Sequence, residues 1–119
     1  MADYIDWPAK SGAKYRYHFI TNPTADGILA VAGNYAFVRR LQDGTFAPLY
    51  FGQGDNLKVR IPGHDRWADA RAAGMTHVMG HKTEGGEQVR LDEEADLIAH
   101  WNPPLNVQGR TGKPKVSSR

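Results

Sequence analysis

The segment Gly33-Asn34-Tyr35-Ala36-Phe37-Val38 is rich in β-formers and leads, through the turn dipeptide Asp43-Gly44, into Pro48-Leu49-Tyr50-Phe51-Gly52. Two strand-forming runs on either side of a glycine turn predict a β-hairpin, and the fold is read outward from it. A loop centred between Gln42 and Asp43 sets Tyr35 opposite Tyr50. Centring the loop on Asp43-Gly44 moves each pairing by two residues. In both registers the two tyrosines lie close.

On the N-terminal side, Tyr15, Tyr17 and Phe19 alternate with Arg16, His18 and Ile20, a period of two that predicts a short strand closed by Thr21-Asn22-Pro23. On the C-terminal side, Asp55 is placed to cap a short helix over 56–61, and Pro62-Gly63 must interrupt it. A second short helix is expected from the spacing of Trp67, Ala68, Arg71 and Ala72, with Gly74 as its stop. Met75 to Met79 reads as another strand. The longest element is a helix from about Glu84 to Trp101, with Leu91, Ala95, Ile98 and Trp101 on one stripe, ending at Asn102-Pro103-Pro104. The expected fold is α+β: a small central, largely antiparallel three-stranded sheet made of the hairpin and a third strand, with an extra N-terminal strand as an option, flanked by helices.

The chain has 119 residues, enough for one domain. It contains no cysteine, which excludes disulfide frameworks, thiolate metal sites and cysteine nucleophiles. The first residues carry two acids, Asp3 and Asp6, where a secretory signal carries bases, and no apolar run approaches the length of a membrane span. A cytoplasmic protein without a membrane partner is expected. The net charge of +2 is too weak to argue for nucleic acid by itself. From residue 108 to the end, however, Arg110, Lys113, Lys115 and Arg119 stand among Gly, Pro, Thr and Ser with no acid. That is the composition of a flexible basic tail, and two readings fit it: a solubilising end or a set of phosphate contacts.

On the last helix, Glu94 falls about 60° from Leu91 and so lies on the apolar stripe, whereas Asp92, Glu93 and Asp96 are expected to point away. An inward carboxylate needs a partner, because burying it alone costs several kcal/mol. A structural ion pair with Arg60 or Arg90 would satisfy it, and so would a metal ion. His77 and His81 do not suggest a metal site: on a strand their spacing separates the side chains by about 13 Å.

The order of these features resembles the GIY-YIG nuclease family. Its two name motifs correspond to Gly33-Asn34-Tyr35 and Tyr50-Phe51-Gly52, each departing at the middle position, where Asn34 and Phe51 stand. A polar residue, an Asn-Leu pair and an arginine follow as Gln53, Asn56-Leu57 and Arg60, with His64 four further on. Glu94 with Leu97-Ile98, then Pro103-Pro104-Leu105 and Asn106, complete the pattern. The resemblance implies a nuclease domain over 31–107, preceded by an N-terminal extension over 1–30 that packs on it and followed by the tail over 108–119.

It also implies an activity, the metal-dependent hydrolysis of DNA phosphodiesters, with the non-catalytic nucleic-acid-binding module as the alternative. Glu94 would bind one divalent cation, Mg or Mn. Tyr35 would be the general base, helped by Arg60 and His64. Arg60 would also contact the scissile phosphate, Tyr50 would hydrogen-bond water or phosphate, and Asn106 would fix the loop or the Glu94 helix. Gln53, Lys58, Arg110, Lys113 and Lys115 would contact nucleic acid. A single small domain without an appended reader implies weak, salt-sensitive binding unless the protein forms a homodimer or is recruited by another protein.

Overall fold

The computed structural model describes residues 3–20 and 30–106. The tail cations Arg110, Lys113 and Lys115, and the expected strand end at Thr21-Asn22-Pro23, lie outside the described residues. The elements are β1 (Tyr4–Pro8), β2 (Lys14–Ile20), β3 (Gly33–Arg40), β4 (Phe46–Gly54), α1 (Leu57–Arg60), α2 (Trp67–Ala72), β5 (His77–Lys82) and α3 (Glu87–Trp101). The fold is α+β, as expected. The sheet, however, has five strands rather than three, in the order β1-β2-β5-β3-β4, and each neighbouring pair is antiparallel.

The extra width comes from the N-terminal hairpin. β1 had no expectation of its own, and β2 pairs with β5 through His18↔Gly80, Phe19↔Met79 and Ile20↔Val78. Residues 3–20 therefore supply two strands of the same sheet, of which β2 answers to the expected optional N-terminal strand. Across this hairpin Arg16 forms an ion pair with Asp6 at 2.8 Å and lies 3.8 Å over the Tyr4 ring.

The β3–β4 hairpin closes on a short loop. The Leu41 amide donates to the Thr45 carbonyl at 2.8 Å, and the Asp43 carboxylate accepts from the Thr45 amide and hydroxyl. Next to the turn Val38 pairs with Pro48; beyond it Phe37 pairs with Tyr50 and Tyr35 with Gly52, so Leu49 is the extra residue of a β-bulge. Tyr35 and Tyr50 are therefore diagonal neighbours, not direct partners, with ring centroids 6.2 Å apart.

β3 is buried from Gly33 to Val38 without alternation, because both faces of the sheet are covered. On one face Tyr35, Phe37 and Val78 pack with Leu57 and Ile61 of the α1 segment and Ala70 of α2. On the other, Trp7, Tyr17, Ala36, Val38, Phe51 and Met79 pack with Leu97 of α3.

Three helix expectations are corrected. Asn56, not Asp55, caps α1, accepting from the Lys58 amide at 3.1 Å. In α2 the buried side is Ala70 with Trp67, while Ala68, Arg71 and Ala72 face solvent. α3 starts at Glu87 because Gly85 and Gly86 hold positive φ angles of 107° and 98°, a backbone region outside the right-handed helix.

The packed face of α3 is also rotated from the expected stripe. Arg90 and Leu97 are buried and Ala95 is exposed. Glu93 and Asp96, expected to point away, are half-buried: Glu93 accepts from the Thr83 hydroxyl at 2.6 Å, and Asp96 accepts from the Ser11 amide, the Ser11 hydroxyl and the Tyr15 hydroxyl. The physical reasons differ: the N-terminal hairpin covers the Asp96 flank of α3, and Glu93 meets Thr83 and His81 at the end of β5. Among the described residues no helix is long and apolar enough to cross a membrane.

Candidate active site

A cleft of ≈ 520 Å³ opens beside the edge strand β4, and Tyr50, Arg60, Glu94 and Asn106 all contribute to its wall. These four residues come from β4, the end of α1, the middle of α3 and the segment after α3. Their convergence has a local cause at each position. The bulge at Leu49 turns its carbonyl to the Leu105 amide at 3.0 Å, which lays the segment after α3 along the strand edge. Asn106 then completes the edge: its Oδ1 accepts from the Phe51 amide at 2.9 Å and its Nδ2 donates to the Phe51 carbonyl at 2.8 Å. A buried side-chain amide thus pairs the strand between Tyr50 and Gly52 as a neighbouring strand would. Of the two roles expected for Asn106, this geometry is the fixing of the chain that follows the Glu94 helix.

Glu94 is half-buried in the cleft wall and, among the described residues, has no hydrogen bond or ion pair. Neither Arg60 nor Arg90 takes it as an ion-pair partner. Burial pushes its carboxyl up to about 7, and the positive charge of Arg60 pulls it partly back. Arg60 itself packs its stem over Gly54 and approaches Asp65 at 4.0 Å. Arg90 is buried on the other face of the sheet, donating from Nε to Gln53 Oε1 at 2.9 Å, while its carbonyl accepts from Asn34 Nδ2 at 3.0 Å. Gln53 is therefore engaged with α3 and does not line the cleft; Lys58 is exposed on α1.

Tyr35 and His64 lie behind Tyr50 rather than in the cleft wall. Tyr35 has no exposed surface, and its hydroxyl lacks a hydrogen bond of good geometry although Tyr50 couples to it electrostatically. Burial pushes the phenol well above its ordinary value, and Arg60 is the group that opposes the rise. Gly52 is what lets the ring lie there, since a Cβ at that position would come within 2.4 Å of Tyr35 Cζ. Tyr50 is raised by burial and by Glu94, again opposed by Arg60.

The His64 ring packs edge-on against Tyr35, Phe37 and Tyr50 at centroid distances of 5.3, 5.1 and 5.0 Å. Its Nδ1 accepts from the Arg66 amide at 2.8 Å, so the neutral ring carries its proton on Nε2, which is buried and unpartnered. Burial, with Arg60 adding to it, holds the imidazole down at about 4, against the opposing pull of Asp65.

Two further cleft residues, Asp65 and Arg66, had no role in the sequence reading. They stand in a turn between two short helices, where neither periodicity nor a motif singles them out.

The donor set suits a magnesium-like ion, which takes one or two carboxylates and completes its shell with water and phosphate oxygens. Glu94 supplies one half-buried carboxylate with no other claim on it. Among the described residues no group of three or more His, Asp or Glu side chains is placed to hold a metal. Glu94 alone would hold such an ion weakly. Comparison with known proteins adds no relative to this picture: no family model, no curated protein and no solved structure matches the chain.

Proposed function

We propose that the protein is a metal-dependent endonuclease that hydrolyses DNA phosphodiester bonds in the cleft beside β4. The observation that carries this reading is the meeting of Tyr50, Arg60, Glu94 and Asn106 around one cavity, although they are spread over more than fifty positions of sequence. Hydrolysis needs an activated water, charge stabilisation at the phosphoryl oxygens and help for the departing oxygen. Glu94 would hold the divalent cation, magnesium or manganese, which when bound supplies Lewis-acid stabilisation of the phosphate. Arg60 directs a fork of donors at the same oxygens. Tyr50 positions the water, and Asn106 keeps the strand edge and the end of α3 in register.

Tyr35 takes the water's proton as a phenolate, after its own phenol proton has passed through the neighbouring Tyr50 hydroxyl to solvent in the cleft, and the departing oxygen takes its proton from solvent. Arg60 favours the phenolate form of that residue. His64, whose Nδ1 is taken by the Arg66 amide and whose Nε2 makes no bond to either phenol, holds the two tyrosine rings in place by packing against them.

One observation favours a second reading, a nucleic-acid-binding module without catalysis: Tyr35 is fully buried and does not line the cleft. Incubation of the full chain with supercoiled plasmid in magnesium or manganese separates the two. Metal-dependent nicking or linearisation supports the nuclease. Salt-sensitive DNA binding with intact plasmid supports the module, and absence of both removes nucleic acid from the account.

A further inference from the structure

We propose that Arg66 is a second phosphate-binding residue, holding a phosphate next to the one at Arg60; the inference rests on the cleft's being a nucleic-acid site. Arg66 lines the same cleft as Arg60 and Glu94. Its side chain is 22% exposed, and Nη1 donates to Asp69 Oδ2 at 2.9 Å. Among the described residues that is the only bond its guanidinium makes, so one of its five N–H donors is used. The others remain on a group already held in place.

An arginine pinned by one carboxylate at a cleft wall has lost much of its side-chain freedom beforehand, and its planar fork matches phosphate oxygens. Asp69 is more than half exposed and screens the Arg66 charge only in part, so the contact combines net attraction with directed hydrogen bonds. The acids that face the same region are Asp65, which is exposed and approaches Arg60 and His64 instead, and Glu94, the proposed metal ligand. The fold role of the side chain is its i,i+3 bridge to the half-exposed Asp69, a kind of pair that contributes little to stability. Arg66 occupies the N-cap of α2 without a side-chain capping bond, and what it gives His64 comes from its backbone amide. Arg66→Ala keeps that amide and removes only the guanidinium.

The test measures DNA affinity against salt for the full-length wild type, Arg66→Ala, Arg66→Lys and Asp69→Asn, with thermal unfolding on the same samples. If Arg66 meets a phosphate, Arg66→Ala lowers the slope of log affinity against log salt by about 0.7 to 0.9 at an unchanged unfolding midpoint. Arg66→Lys restores the slope but not the full affinity, since an ammonium lacks the fork. In cleavage, KM rises about tenfold in Arg66→Ala while kcat stays within about twofold. Asp69→Asn removes the opposing charge and leaves the guanidinium, so its slope stays at or above the wild-type value, and a slope as low as that of Arg66→Ala would overturn the proposal. An unaltered slope in Arg66→Ala overturns the proposal, as does a fall in kcat with no change in KM. The nuclease reading fails separately, when wild type binds DNA but does not cut it with either metal, and the slope measurement still decides Arg66.

Discussion

Tyr35 and Tyr50 carry the same phenol into different surroundings, and that difference assigns their expected effects. Tyr35 is enclosed, with its ring lying across Gly52, whereas Tyr50 borders the cleft. Removing only the hydroxyl separates packing from chemistry. Tyr35→Phe should lose a factor on the order of 10² to 10⁴ in cleavage rate at little cost in stability, because that hydroxyl makes no hydrogen bond of good geometry and, among the described residues, meets only the Tyr50 hydroxyl. Should Tyr35→Phe cut at nearly the wild-type rate while Tyr50→Phe does not, the general base is Tyr50. Gly52→Ala tests the close approach itself. A methyl group 2.4 Å from Tyr35 Cζ forces the ring to move, so a destabilisation of about 1 to 3 kcal/mol in urea unfolding is expected. The variant should also lose cleavage, since the same methyl lies 2.5 Å from the Tyr35 hydroxyl oxygen.

At the scale of elements, the edge of β4 depends on one side chain. Asn106→Ala removes both bonds to the Phe51 peptide and leaves a buried N–H and C=O without partners, so a loss of about 2 to 4 kcal/mol is expected in chemical denaturation. Amide exchange at Phe51 should speed up with it, and slow exchange there in the variant would contradict the edge-pairing account. The sequence disclosed this element only in part. Tyr-Phe-Gly marked β4 as a strand and Asn106 as a residue of interest, but an asparagine after two prolines is equally a turn former, and its bonding to a strand about fifty residues earlier is a tertiary fact. The hairpin and the end of α3 at Asn102 were legible because their signals are local, aromatic and β-forming runs, a glycine turn and paired prolines, whereas β5, expected over 75–79, lies at His77–Lys82 because its register is set by pairing with β2 and β3. β1 was not legible, since five residues with one alternation, Tyr4 and Asp6 outward against Ile5 and Trp7, are too short to count as a pattern. The missed β1 carried a second error with it. Without the N-terminal hairpin, Asp96 looks like a solvent residue, and the Glu93 bond to Thr83 is a tertiary contact that no local pattern discloses.

For the whole molecule, Glu94 and His64 tie stability to pH in opposite directions. The Glu94 carboxyl rises from 4.5 to about 7 on folding, so the stability it contributes is full below pH 4.5 and is lost as pH climbs to 7. The His64 imidazole falls from 6.5 to about 4, so its contribution is full above pH 6.5 and is lost as pH drops to 4. Between pH 4.5 and 6.5 the two slopes oppose each other. Glu94→Gln should expose the His64 limb alone, with urea-unfolding free energy rising toward pH 6.5 and then level; His64→Gln should leave the falling Glu94 limb. Equal slopes in both variants would contradict these assignments. At pH 8 the unpaired Glu94 carboxylate costs the fold about 1 to 3 kcal/mol, after discounting for its contact with solvent. A carboxylate kept in a cleft wall without an ion pair among the described residues gains nothing in folding, and the proposed metal site would give it a use. The measurement that tests this most directly is single-turnover plasmid cleavage at saturating DNA and magnesium by wild type and Glu94→Gln, with thermal unfolding of both at pH 8. The account predicts that Glu94→Gln melts at or above the wild-type temperature while its rate falls at least about 10³-fold. A variant that still cuts at the wild-type rate, or one that melts well below it, would contradict the claim that Glu94 serves the reaction and not the fold.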